Sequence, residues 1–249
     1  MMIKIIYSLI ISVLVAVLIS CGNDENSNKQ IPSGVFNGIF AKEEVMILTW
    51  GNTAHVLSNN DITSILSSSN TQMEINFLIS DSEPIDNDLD IGSADTVMHI
   101  TGLGRLYDSH IDTLREVNVF GWFTETSFIL TIADADNDGD KMLLSASTTS
   151  NNNATLAQLK GTYFILDIGG SMTIDNTGLI SGSDNNGCEY EGDINIPNTD
   201  INIYKIFLTV FNCSSSGHYG GLGTFDHSSD NFIFSVSNKK RLLQYRLLK

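Results

Sequence analysis

Apolar side chains recur at every second position along much of this chain, and that period decides the fold class. From Gln72 to Ile79 the apolar set is Met73, Ile75, Phe77 and Ile79, with Glu74 and Asn76 opposite. From Glu189 to Ile196 it is Tyr190, Ile194 and Ile196, with Glu189, Glu191, Asp193 and Asn195 opposite. A strand sends successive side chains to opposite faces, so such segments read as half-buried strands. Val117 to Phe123, Phe128 to Ile132 and Phe232 to Val236 read the same way, from their β-branched and aromatic content. Ile201 to Cys213 is apolar on both faces, as a central or curling strand requires. Asp175-Asn176-Thr177-Gly178, between Met172/Ile174 and Leu179/Ile180, predicts a tight hairpin in which Gly178 takes positive φ. Helix is minor: Ala154 to Leu159, with Ile62 to Ser67 and Ile111 to Glu116 as further candidates. The expectation is an all-β chain.

A faint internal repeat organises these strands. Gly34-Val35-Phe36 matches Gly161-Thr162-Tyr163, Phe128–Ile132 matches Phe232–Val236, and Lys141-Met142-Leu143-Leu144 matches Lys240-Arg241-Leu242-Leu243, in the same order. The repeat predicts two tandem antiparallel units, residues 31–149 and 154–249, joined by Ser150-Asn151-Asn152-Asn153. Each would be a strongly curved sheet or a small up-and-down barrel. One continuous barrel or sandwich is the alternative.

The first 20 residues read as a secretion signal. Lys4 is a one-charge leader, Ile5 to Ile19 an apolar run of signal length, and Leu18-Ile19-Ser20-Cys21 resembles the bacterial lipobox. Cys21 is thus the expected lipid-bearing residue. Residues 21–30, polar and small, form a tether without apolar groups to bury. Gly22 is not the Asp that retains enterobacterial lipoproteins in the inner membrane, so the expected address is the outer membrane. Cys188 and Cys213 then remain as an even pair in an exported chain, which predicts a disulfide. The formal net charge of −16 makes nucleic acid and anionic lipid surfaces poor partners. The acids crowd the first half, whereas Lys239-Lys240-Arg241 and Arg246 make the chain end locally basic.

The second half also carries Gly161-Thr162-Tyr163, Gly178-Leu179-Ile180-Ser181-Gly182-Ser183, Gly187-Cys188 and a later Cys213. This pattern, over roughly Ala154 to Lys249, resembles a group of uncharacterised proteobacterial lipoproteins with small β domains. The resemblance implies the β fold and the disulfide, and implies no activity.

Signals of chemistry are few. Asp134, Asp136, Asp138 and Asp140 alternate around Gly139 like the start of an EF-hand-type Ca²⁺ loop, but position 12 is Ser145 and no helices flank the segment. A weakly bound Ca²⁺ or a plain hairpin turn both fit; Asp86-Asn87-Asp88-Leu89-Asp90 is a second acidic loop. The histidines show no metalloprotease spacing, and Ser171 in Gly169-Gly170-Ser171-Met172-Thr173 lacks the final glycine of a nucleophile elbow. Gly220-Gly221-Leu222-Gly223 lacks the third glycine of a dinucleotide loop and suits a bending strand. Phe120 and Trp122 fall on one face of their strand and Phe123 on the other, so one of these faces is core and the other a candidate contact surface. No catalytic residue and no resident cofactor are expected. The leading expectation is a non-enzymatic, membrane-anchored binding or structural module with a protein partner in the envelope. An inhibitor or immunity-type lipoprotein and an unrecognised hydrolase are the alternatives.

Overall fold

The computed structural model describes residues 31–40, 43–58, 71–79, 98–108, 113–124, 127–133, 140–146, 152–166 and 168–249. Their strands form two separate closed rings. The first comprises β1 (Gly34–Phe40), β2 (Glu43–Trp50), β3 (Thr53–Ser58), β4 (Thr71–Ile79), β5 (Met98–Asp108), β6 (Thr113–Phe123), β7 (Ser127–Ala133) and β8 (Asp140–Ala146). The second follows a single helical turn, α1 (Leu156–Leu159). It comprises β9 (Gly161–Ile165), β10 (Ser171–Ile174), β11 (Leu179–Ser183), β12 (Glu189–Asn195), β13 (Tyr204–Phe211), β14 (Gly217–Asp226), β15 (Asn231–Ser237) and β16 (Leu242–Leu248). Within each ring every strand pairs antiparallel with its chain neighbours. The rings close where β1 meets β8, with Phe36 opposite Ala146, and where β16 meets β9, with Leu247 opposite Ile165.

An eight-stranded ring encloses a space that side chains can fill. In the first barrel Phe36, Ile47, Val56, Val119, Phe123, Phe128 and Leu130 fill it, and Phe36 meets Phe128 edge to face at 4.5 Å. The second barrel uses tyrosine for the same purpose. Tyr163, Tyr190, Tyr204, Tyr219 and Tyr245 point inward among Phe232, Phe234 and Leu208. Each of four hydroxyls finds an acceptor at a barrel end or on the chain crossing it. Tyr163 donates to Leu159 O at 2.6 Å, Tyr190 to Asp184 Oδ2 at 2.5 Å and Tyr219 to Ser215 O at 2.7 Å. Tyr204 donates to Thr155 O at 3.4 Å and accepts from Thr155 N and the Gln158 side-chain amide, beneath α1, whose N-cap is Thr155. A buried phenol without such a partner would cost about 1–3 kcal/mol. Apart from Leu179, the outer face of β11 and β12 is polar, with Ser181, Ser183, Glu189, Glu191 and Asn195 exposed. That is the reverse of a lipid-facing barrel, whose apolar band lies outside.

The disulfide expected from the cysteine count is present. Cys188 and Cys213 bridge the ends of β12 and β13 across a sequence separation of 25. The Asp175–Gly178 hairpin also stands as read: Asp175 accepts from Thr177 N and Leu179 N, and Gly178 sits at φ 89°.

Two sequence readings need correction. Ile111 to Glu116 is not helical where it is described, because Thr113 to Glu116 open β6 and pair with β5 along the whole strand, Thr113 opposite Asp108. That pairing turns Val117, Val119 and Phe123 into the barrel, a burial that local helix propensity cannot match. The match of Lys141–Leu144 to Lys240–Leu243 is displaced by about four residues. Phe128 faces Leu144 and Phe232 faces Leu247, so the strand equivalent of Leu144 is Leu247. Lys240 and Arg241 belong instead to the β15–β16 turn, where Asn238 Oδ1 accepts from both their backbone N–H groups. The other two matches hold at the level of strands: β1 with β9, and β7 with β15.

The cleft between the barrels as candidate functional site

β2 is apolar on both faces, and this decides how the barrels meet. Val45 and Ile47 enter the first barrel, whereas Met46 and Leu48 face outward. Outward-facing Val35, Leu48 and Leu57 pack directly on Ile203, Leu222 and Ile233 of the second barrel, and all six are buried. Within this seam His55 Nδ1 lies 3.2 Å from Ser235 Oγ, with both residues at 2% exposure or less. At its margin the Arg105 guanidinium donates to Asn238 O at 2.5 Å and Ser237 Oγ at 3.1 Å. Arg105 thus ties β5 of one barrel to the β15–β16 turn of the other. In the first sheet, Glu74 stands in register between His55 and Arg105.

The seam opens beside Leu222. Two cross-strand rows run side by side on the outside of the second barrel: Lys205, Leu222, Ser235, and then Phe207, Gly220, Ser237. In the first row Leu222 presses against the partner barrel. In the second row position 220 has no side chain, and a Cβ built there would have no atom within 4 Å. The surfaces part at that glycine and leave a cleft of about 560 Å³, within the size range of small-ligand sites. Trp50 and Phe207 supply aromatic walls, and Arg105, Lys205 and Lys239 bring three cations to the same space. The Lys205 ammonium lies 5.9 Å from the Trp50 ring centroid, a cation–π contact that joins the two barrels at the cleft. Phe207 is 53% exposed, a large apolar side chain left facing solvent where it borders the opening.

The neighbouring glycine has a different task. Gly223 faces inward, and a Cβ there would come within 2.8–2.9 Å of Ile206, Phe232 and Phe234. It makes room for core rings, whereas Gly220 makes room outside.

The residues singled out in the sequence fall elsewhere. Cys21 lies outside the described residues, as do Asp134, Asp136 and Asp138. Asp140 opens β8 opposite Ile132, so the acidic segment connects β7 to β8 at the place where Asn238–Arg241 connects β15 to β16. Cys188 and Cys213 are together in the disulfide, away from the cleft lining. Ser171 opens β10 on the exposed surface. Phe123 enters the core, while Phe120 on the opposite face is 43% exposed. Trp122 shares that outer face, stands 6.2 Å from His99, and has no hydrogen-bond partner for its buried indole N–H among the described residues.

Sequence reasoning missed the cleft because its residues come from six strands and a turn. Two signals pointed toward it. Lys205 puts a cation beside the aromatic Phe207 on the outward face of β13, and Gly220 leaves the outward face of β14 without a side chain next to Leu222. No protein-family model, curated protein or solved structure matches the chain.

Proposed function

We propose that this chain is a lipid-anchored envelope lipoprotein of the outer membrane whose two-barrel body is a non-enzymatic binding module, with the inter-barrel cleft as its binding site. The observation that carries the binding reading is the cleft itself: a concave space of about 560 Å³ with two aromatic walls and a bare glycine floor. Sites of this size, with aromatic lining and a few convergent polar groups, are where small molecules bind. The anchor rests on Leu18-Ile19-Ser20-Cys21 at the end of an apolar run of signal length. The outer faces of β11 and β12, polar apart from Leu179, suit a barrel held at a membrane by a lipid rather than one embedded in it.

Gly220→Leu tests the binding site, because the new side chain grows into the cleft with no atom near its Cβ. Small molecules retained from envelope extract by the wild-type chain and by the variant are compared by mass spectrometry. At least one species should be retained by the wild type alone. Identical retention by both would remove the cleft as the site. The anchor is tested separately: fatty-acid label should be present on the wild type and absent from Cys21→Ser, and equal label in both would remove the lipoprotein reading.

A further inference from the structure

We infer that the cleft selects small organic anions with a flat apolar body, such as aromatic carboxylates; this rests on the cleft being the binding site. The chain carries 29 acids against 13 Lys and Arg, yet three of those cations converge on this one space. Arg105 comes from β5, Lys205 from β13 and Lys239 from the β15–β16 turn. Three like charges around one concave space repel one another and focus a positive field there on an otherwise acidic molecule, an arrangement suited to receiving an anion.

The geometry divides the work. Arg105 already donates to Asn238 O and Ser237 Oγ, so it stiffens the wall and contributes field. Lys205 and Lys239 are the groups that reach the anion. Lys205 is held against Trp50 by its cation–π contact, which fixes its position before a ligand arrives and lowers the ordering cost of binding. Trp50 and Phe207 offer flat apolar surface on the two sides of the opening, one from each barrel. Gly220 leaves the floor free of side-chain atoms. A ligand with a planar ring and one carboxylate matches all of these features; a neutral ring matches only the aromatic ones, and a bare inorganic anion only the charges.

The test uses 2-naphthoate and its uncharged counterpart 2-naphthamide, titrated calorimetrically into the full-length chain. The two differ in charge but hardly in shape. 2-Naphthoate should bind at one site, at least about tenfold tighter than 2-naphthamide, as expected for charge-assisted over neutral hydrogen bonding. Lys205→Gln/Lys239→Gln should remove that preference while the loss of the Lys205–Trp50 contact lowers the melting temperature by no more than about 4 °C. Lys160→Gln, an exposed lysine that does not line the cleft, should keep it. Raising the salt from 0.05 to 0.5 M should weaken 2-naphthoate alone. Equal affinity for the two probes, both abolished by Gly220→Leu, would overturn the anion inference while leaving the cleft as a binding site. Binding of either probe that Gly220→Leu does not change, or no binding of either at millimolar concentration, would overturn both.

Discussion

The second barrel's tyrosines show how much one residue type can carry. All five put a ring in the core, and Tyr163, Tyr190, Tyr204 and Tyr219 also put a hydroxyl on a named acceptor, so losing either function has a separate cost. Tyr190→Phe keeps the ring and removes a 2.5 Å bond to Asp184. We expect it to destabilise the second barrel by about 1–3 kcal/mol, because Asp184 is left buried with one partner fewer. Urea unfolding measures this, and a change under a few tenths of a kcal/mol would mean that water replaces the phenol. Alkali addresses the same groups together. Burial pushes the Tyr163 and Tyr204 phenols up to about 12 from their ordinary value of 10.0. A raised folded value means stability that is complete below pH 10 and is lost as pH rises from about 10 to 12, because only the unfolded chain ionises there. Unfolding followed by absorbance should therefore coincide with phenolate formation in that window. Phenolate formation by Tyr163 or Tyr204 at pH 10 with the barrel intact would contradict the packing. Cys188 and Cys213 form the other residue-scale device. Replacing both with Ser should cost about 3 kcal/mol on the chain-entropy account, and an unchanged midpoint would show the bridge to be dispensable. The pairing was legible in the sequence because two cysteines allow one connectivity. The hydroxyl partners were not, because Leu159, Asp184 and Ser215 are brought to the tyrosines only by barrel closure.

At the scale of elements, alternation carried most of the information. Glu189 to Ile196 gave β12 with Tyr190 and Ile194 inward, and Val117 to Phe123 lies in β6 with Phe123 inward. The errors have one origin. Ile111 to Glu116 looked locally helical and the Lys141 and Lys240 segments looked alike, but cross-strand partners fix what a strand is and where it begins. Nothing within a five-residue window shows those partners. Gly220 and Gly223 make the same point, since identical residues three apart on β14 serve opposite faces. Gly223→Leu should destabilise the second barrel by about 1–3 kcal/mol through overpacking against Phe232 and Phe234. Gly220→Leu should leave its melting temperature within a degree or two. Equal destabilisation by both would contradict the assignment of faces.

On the scale of the whole molecule, each barrel has its own closed sheet and its own core, and a third apolar cluster joins them. The two-unit organisation was readable from the repeat; the last strand of one ring ends at Ala146 and the first of the next starts at Gly161. The docking was not readable, because an outward apolar residue such as Leu48 or Leu222 looks the same in sequence as one buried within a sheet. Residues 154–249 expressed alone, with the disulfide formed, should unfold cooperatively, though with Ile203, Leu222 and Ile233 newly exposed. A non-cooperative product would show that the halves fold only together. The central claim is that the two barrels are held as one body, whose seam makes the cleft. Backbone ¹⁵N relaxation tests it most directly. In the wild type both barrels should share a single rotational correlation time, that of the whole body. In Leu222→Asp, which puts a carboxylate into the seam without touching either core, each barrel should tumble faster and separately while keeping its own dispersed spectrum. Independent tumbling of the two barrels already in the wild type would contradict the account.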